Sequence, residues 1–109
     1  MLVLARKKGE WIQIGDDIYV TVVKIFGRKV KIGILAPAEV AILRTELEDN
    51  GVAREGGTGG FLVLTRSKGE AIRIGDSVTL TVVAFNGSRV RLGIEAPQDV
   101  AIHRADRVA

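Results

Sequence analysis

The chain has 109 residues, 47% of them hydrophobic and 27% charged, with one histidine, no cysteine and a formal net charge of +3. The missing cysteines exclude a disulfide scaffold, and a single histidine leaves no ligand set for a structural zinc. No apolar run approaches the roughly 18 residues of a membrane span, and Arg6-Lys7-Lys8 interrupt the N-terminal apolar stretch too early for a signal peptide, so a cytoplasmic protein with no membrane partner is expected.

Leu2-Val3-Leu4-Ala5-Arg6-Lys7 alternates as a strand with Leu2, Leu4 and Arg6 on one face. Lys8-Gly9-Glu10 is a turn, after which Ile12 and Ile14 alternate with Trp11 and Gln13 in a short second strand stopped by Gly15-Asp16-Asp17. Ile18 to Ile25 is dense in β-branched residues and predicts the longest strand of this half. Phe26-Gly27-Arg28 turns the chain into a fourth strand, Lys29 to Ile34, in which apolar and basic residues alternate. Pro37 then redirects the chain, because it lacks a donor and fixes φ. Val40 to Leu43 is read as a fifth strand, running from apolar residues to the guanidinium of Arg44. Thr45-Glu46-Leu47-Glu48-Asp49 carries a cap and first-turn acids suited to a short helix, which Asn50-Gly51 stops at once. Val52 to Gly60 reads as linker, with Gly56-Gly57-Thr58-Gly59-Gly60 flexible. From Thr45 to Phe61 the segment reaches up to about 50 Å if extended, enough to cross a small domain.

Everything before the linker then returns. Gly33-Ile34-Leu35-Ala36-Pro37-Ala38-Glu39-Val40-Ala41-Ile42-Leu43-Arg44 reappears as Gly93-Ile94-Glu95-Ala96-Pro97-Gln98-Asp99-Val100-Ala101-Ile102-His103-Arg104. The offset of 60 holds without a gap from Leu2/Leu62 to Arg44/Arg104. In the second copy the hairpin turn is Asn86-Gly87, a strong two-residue turn signal. The chain therefore divides into a repeat at 1–47, an acidic and glycine-rich linker at 48–60, and a repeat at 61–109. Their formal charges are +3, −2 and +2. Each repeat spans about 46 residues, too few to stand alone without metals, disulfides or a partner. The two are expected to complete one shared all-β core of ten short strands.

Several features have plain structural explanations. The glycines suit turns and close packing rather than phosphate cradles. Glu10/Glu70 and Asp16/Asp76 repeat as acids but sit in turns with no nucleophile or base nearby, so turn and capping roles are expected and no catalysis. His103 has no second ligand at metal spacing, and no metal or other cofactor is implied. Trp11 is open to two readings, stacking on a base or packing under the linker, since the second copy has Ala71. Lys29/Lys31 and Arg89/Arg91 read as solvated strand faces rather than as a second RNA surface. For Arg44 and Arg104 the alternative to ligand contact is a structural salt bridge.

The ordered set Leu-x-Leu-x-Arg-x-x-Gly-Glu, Ile-x-Ile-Gly-Asp, the hairpin glycine, and Gly-Ile-x-Ala-Pro-x-x-Val-Ala-Ile-x-Arg resembles the carbon storage regulator (CsrA/RsmA) family. The likeness covers Met1–Leu47 and Phe61–Arg107. Members resemble one half of this chain and act as homodimers, in which each sheet mixes the first and fifth strands of one protomer with the middle three of the other. They bind messenger RNA at GGA sites, usually in hairpin loops near ribosome-binding sites, and mostly repress translation. The resemblance implies a dimer written as one polypeptide, folding on itself rather than swapping strands with a second chain. It further implies mRNA, and regulatory small RNA carrying GGA, as partners, with no small-molecule substrate. One implied RNA site pairs Leu4, Ala5, Arg6 and Lys7 with Val100, Ala101, Ile102, His103 and Arg104. The other pairs Leu64, Thr65, Arg66 and Ser67 with Val40, Ala41, Ile42, Leu43 and Arg44. In such sites arginines clamp phosphates or reach guanine edges, apolar side chains shelve splayed bases, and strand-edge main chain reads base edges. Threonine is usual where copy one has Ala5 (copy two keeps Thr65), and histidine is usual where copy one has Leu43 (copy two has His103). Two unequal sites are expected, the Arg6/Arg104 site being the more basic through Lys7. The rival expectation is a protein-interaction or scaffold module that kept this fold and lost the RNA.

Overall fold

In a computed structural model of the chain, residues 1–44, 52–54 and 60–105 are described, and all of their regular structure is β. The strands are β1 (Leu2–Lys7), β2 (Trp11–Ile14), β3 (Ile18–Phe26), β4 (Lys29–Ala36), β5 (Ile42–Arg44), β6 (Val52–Arg54), β7 (Gly60–Ser67), β8 (Ala71–Ile74), β9 (Val78–Asn86), β10 (Arg89–Glu95) and β11 (Ile102–Ala105). They form a six-stranded sheet in the order β1-β10-β9-β8-β5-β6 and a five-stranded sheet in the order β11-β2-β3-β4-β7. Every pairing is antiparallel. The middle strands of the second repeat are thus flanked by the first and fifth strands of the first repeat, and the reverse holds in the other sheet. This is the interleaving expected of the fold.

The alternation of each strand decides which face it buries. Ile12, Ile14, Val20, Val22, Ile32 and Ile34 from the first repeat turn inward, as do Ile72, Ile74, Leu80, Val82, Leu92 and Ile94 from the second. They join one continuous core with Leu4, Ile42 and Leu64, which the flanking strands carry across. Neither repeat could enclose these side chains alone, because the edge strands that close its sheet belong to the other repeat. A radius of gyration of 12.7 Å matches the roughly 13 Å expected of one domain of this length.

The two copies agree in detail. Gly27 and Gly87 turn the β3–β4 and β9–β10 hairpins with φ of 58° and 63°, a conformation that side-chain-bearing residues seldom adopt. Val23 and Val83 are each left without a ladder partner at a bulge in the long hairpin. The β2–β3 turn of one repeat also grips the other: Gly15 N–H donates to Ala101 O at 2.7 Å, and Gly75 N–H to Ala41 O at 2.8 Å.

Some boundaries differ from the sequence reading. The fourth strand continues to Ala36. The fifth begins at Ile42 rather than Val40, because Val40 N–H is drawn back to Pro37 O in a turn and Ala41 O is taken by Gly75. Part of the linker is a strand, β6, paired to β5. The short helix expected over Thr45–Asp49 lies outside the described residues.

Candidate nucleic-acid interface

β1 ends the six-stranded sheet and β11 ends the five-stranded one. Between these two edges runs a groove of about 400 Å³ lined by Leu2, Leu4, Ile102, His103 and Arg104. Four residues of the first implied site therefore come together: Leu4, Ile102, His103 and Arg104. Leu2 joins them, and its alternation with Leu4 was the available signal. Leu4 is buried and Ile102 half-buried, forming an apolar floor, while the exposed Arg104 and His103 complete the lining. Arg104 takes part in no ion pair among the described residues. Its guanidinium is thus free to meet an anion, which the structural salt-bridge reading would not allow.

The rest of the first set is arranged around that groove. Ala5 and Lys7 point to the outer face, opposite Arg91 and Arg89 on β10, so Lys7 adds charge there. Val100 packs against the core and Ala101 is exposed, its carbonyl held by Gly15. Arg89 and Arg91, read from sequence as a solvated face, form with Lys7 an exposed basic strip along the edge of this sheet.

Arg6 and Arg66 are placed differently from the other arginines. Their side chains are only 11% and 6% exposed and turn inward at the corner where the chain leaves one sheet for the other. Arg6 donates through Nε to Ala5 O at 2.8 Å and through Nη1 to Trp11 O at 3.2 Å. Arg66 does the same to Thr65 O at 2.7 Å and Ala71 O at 3.5 Å. Each also lies against the acid four residues on, Glu10 at 3.8 Å and Glu70 at 4.0 Å. The Arg-x-x-Gly-Glu pattern is thus a corner clasp, and its arginines are committed to the fold in this state.

The clasp has a pH signature. Glu10 accepts the Lys7 N–H at 2.7 Å. That bond, with the charges of Arg6, Lys7 and Arg89, holds its carboxyl below the usual carboxylate range against an opposing effect of burial. Because the pKa is lower in the folded than in the unfolded chain, the stabilisation is complete above the unfolded value and is lost as pH falls through the folded one. Glu10→Gln is therefore expected to lower Tm by a few degrees at pH 7, on the order of a 0.5–1 kcal/mol loss. The gap should narrow as pH falls through that depressed range. A gap that did not change with pH would show that the charge contributes nothing.

The second implied set occupies the corresponding strands at the other end. Leu64 and Arg66 are buried on β7, Thr65 is exposed and Ser67 half-buried. Val40, Ala41 and Leu43 are half-buried and Ile42 is fully buried, while Arg44 closes β5. β7 is a sheet edge, but β5 carries β6 on its outer side. A further basic groove lies at the β3–β4 tip, lined by Phe26, Arg28, Lys29, Ser67 and Lys68. There Lys24 and Lys31 set their ammonium groups 5.8 and 5.9 Å from the centre of the Phe26 ring.

Comparison with known proteins agrees with this architecture. The family model described as CsrA, a global regulator protein family, matches residues 1–51 and again residues 61–107. A protein named Translational regulator CsrA from an Exiguobacterium species is 63% identical over 44 residues, 40% of this chain and 59% of that protein. The protein of the same name from Geotalea uraniireducens is 58% identical over 46 residues, 42% of this chain and 58% of its own length. The aligned stretch thus spans less than three fifths of each of these relatives. No solved structure matches the chain significantly.

Proposed function

The chain belongs to the CsrA global regulator family, and on that premise we propose that it is an mRNA-binding post-transcriptional regulator acting as its own dimer. It recognises GGA in single-stranded loops and represses translation where such a loop overlaps a ribosome-binding site. The observation that carries this reading is the β1/β11 groove, an apolar floor of Leu2, Leu4 and Ile102 alongside an exposed, un-ion-paired Arg104 and His103. Such a groove shelves an unstacked base, and a guanidinium at its rim can hold a phosphate or a guanine edge. The strip of Lys7, Arg89 and Arg91 continues the positive surface along the neighbouring phosphates.

A translational reporter tests it. A leader with GGA in a hairpin loop over the ribosome-binding site should be repressed by the protein, and changing the loop to GCA should release it. Equal repression of both leaders would contradict the reading. The rival, a protein-interaction module, has one observation on its side. Phe61 and Val63 are 52% and 42% exposed beside Trp11, whose ring centre is 6.3 Å from that of Phe61.

A further inference from the structure

The two ends of the molecule follow one plan, and one backbone difference between them bears on ligand access. β11 pairs with β2 as Ile102↔Ile14, His103↔Gln13 and Arg104↔Ile12. β5 pairs with β8 as Ile42↔Ile74, Leu43↔Arg73 and Arg44↔Ile72, the same ladder displaced by 60 residues in both strands. The turn glycines that anchor the approach to each strand correspond as well, Gly15 to Ala101 and Gly75 to Ala41. Yet β11 is the last strand of its sheet, whereas β5 is not. The connector returns on β5's outer side as β6, in the register Ile42↔Arg54 and Leu43↔Val52.

An edge strand recognises an unpaired base through the N–H and C=O groups that its sheet leaves unused. Each residue has one such donor and one acceptor carbonyl, so a strand already paired on both sides has little main chain left to offer. We propose that β6 occludes the RNA-recognition edge of β5, so that the chain carries one open RNA site, at β1/β11, and one closed site, at β7/β5. The inference rests on the RNA-binding reading above. Side-chain differences favour the same end: Lys7 stands where the second set has Ser67, and His103 where it has Leu43. The closure is slight, since β6 has three residues and a register shift interrupts its pairing between Ile42 and Leu43.

Native mass spectrometry of the full chain with a GGA-loop hairpin RNA tests this by counting. The wild-type chain should saturate at one RNA. Val52→Pro combined with Arg54→Pro removes two donors and bars strand pairing, and this variant should saturate at two. Two RNAs on the wild-type chain, or one on a variant with an unchanged fold, would overturn the proposal. Amide shifts of the wild-type chain give a second test that needs no variant. RNA should move the β1 and β11 signals and leave those of β5 and β7 in place; movement at both ends would overturn it equally. If the wild-type chain bound no hairpin at all, the RNA reading itself would fall, a result unlike any of these.

Discussion

Arg104→Ala is expected to weaken binding of a GGA-loop hairpin by roughly 30-fold, about 2 kcal/mol, while leaving Tm almost unchanged. The two halves of that expectation have one cause. The side chain is exposed at the rim of the groove and has no carboxylate partner among the described residues. Its removal should therefore cost the fold little, as at other unpaired surface positions. On the RNA-binding reading it would supply a charge-assisted contact that Arg6 at the same end cannot, since Arg6 is spent on Glu10 and the Trp11 carbonyl. Arg104→Lys separates the two contacts a guanidinium can make. Lysine keeps the attraction to a phosphate but not the two-pronged bond to a guanine edge. If Arg104 reads guanine, the lysine variant should bind GGA and scrambled loops more nearly alike. Arg6→Ala should behave oppositely to Arg104→Ala, losing about 1–3 kcal/mol of stability. A large fall in Tm for Arg104→Ala with unchanged affinity would make it a structural residue.

Ile72→Ala should cost about 2–5 kcal/mol and lower Tm by about 10 °C or more. Ile72 lies in β8 of the second repeat, is fully buried, and holds the ladder positions opposite Arg44 of β5 and Leu80 of β9. Alanine there opens a cavity in the core that both repeats share. The informative reporter is Trp11, the only tryptophan, which lies in β2 of the opposite sheet. Because each sheet is closed by strands of the other repeat, Trp11 fluorescence and far-UV circular dichroism should shift together in one transition. A Trp11 transition left in place while the circular dichroism curve moved would mean two independent units.

Much of this was legible in the residues. The gapless offset of 60 and the alternation within each strand placed nearly every element, and the size of the repeat required a shared core. Alternation also put Arg6 on the face of Leu2 and Leu4, which is the signal that it turns inward; its charge suggested the surface instead. What hides it is the corner, where Glu10 and the Trp11 carbonyl become reachable only after the chain changes sheets. The fifth strand's late start was unreadable because Val40 and Ala41 continue the alternation while their backbone groups bond elsewhere. β6 escaped because Val52-Ala53-Arg54 is too short for a period, and its partner edge exists only in the assembled sheet. Gly33 looked like a turn or packing glycine, and the fold shows which. The tip of the Phe61 ring fills the space a side chain would need there.

The central claim is that the groove between the two sheet edges reads RNA sequence. Its most direct test is a titration of the chain with a GGA-loop hairpin and a loop-scrambled control at low and moderate salt. The account predicts that the GGA loop binds at least tens-fold more tightly, about 2 kcal/mol or better, and that the preference survives moderate salt. Weak binding to both hairpins that fades in parallel as salt rises would leave only backbone electrostatics, and would contradict it.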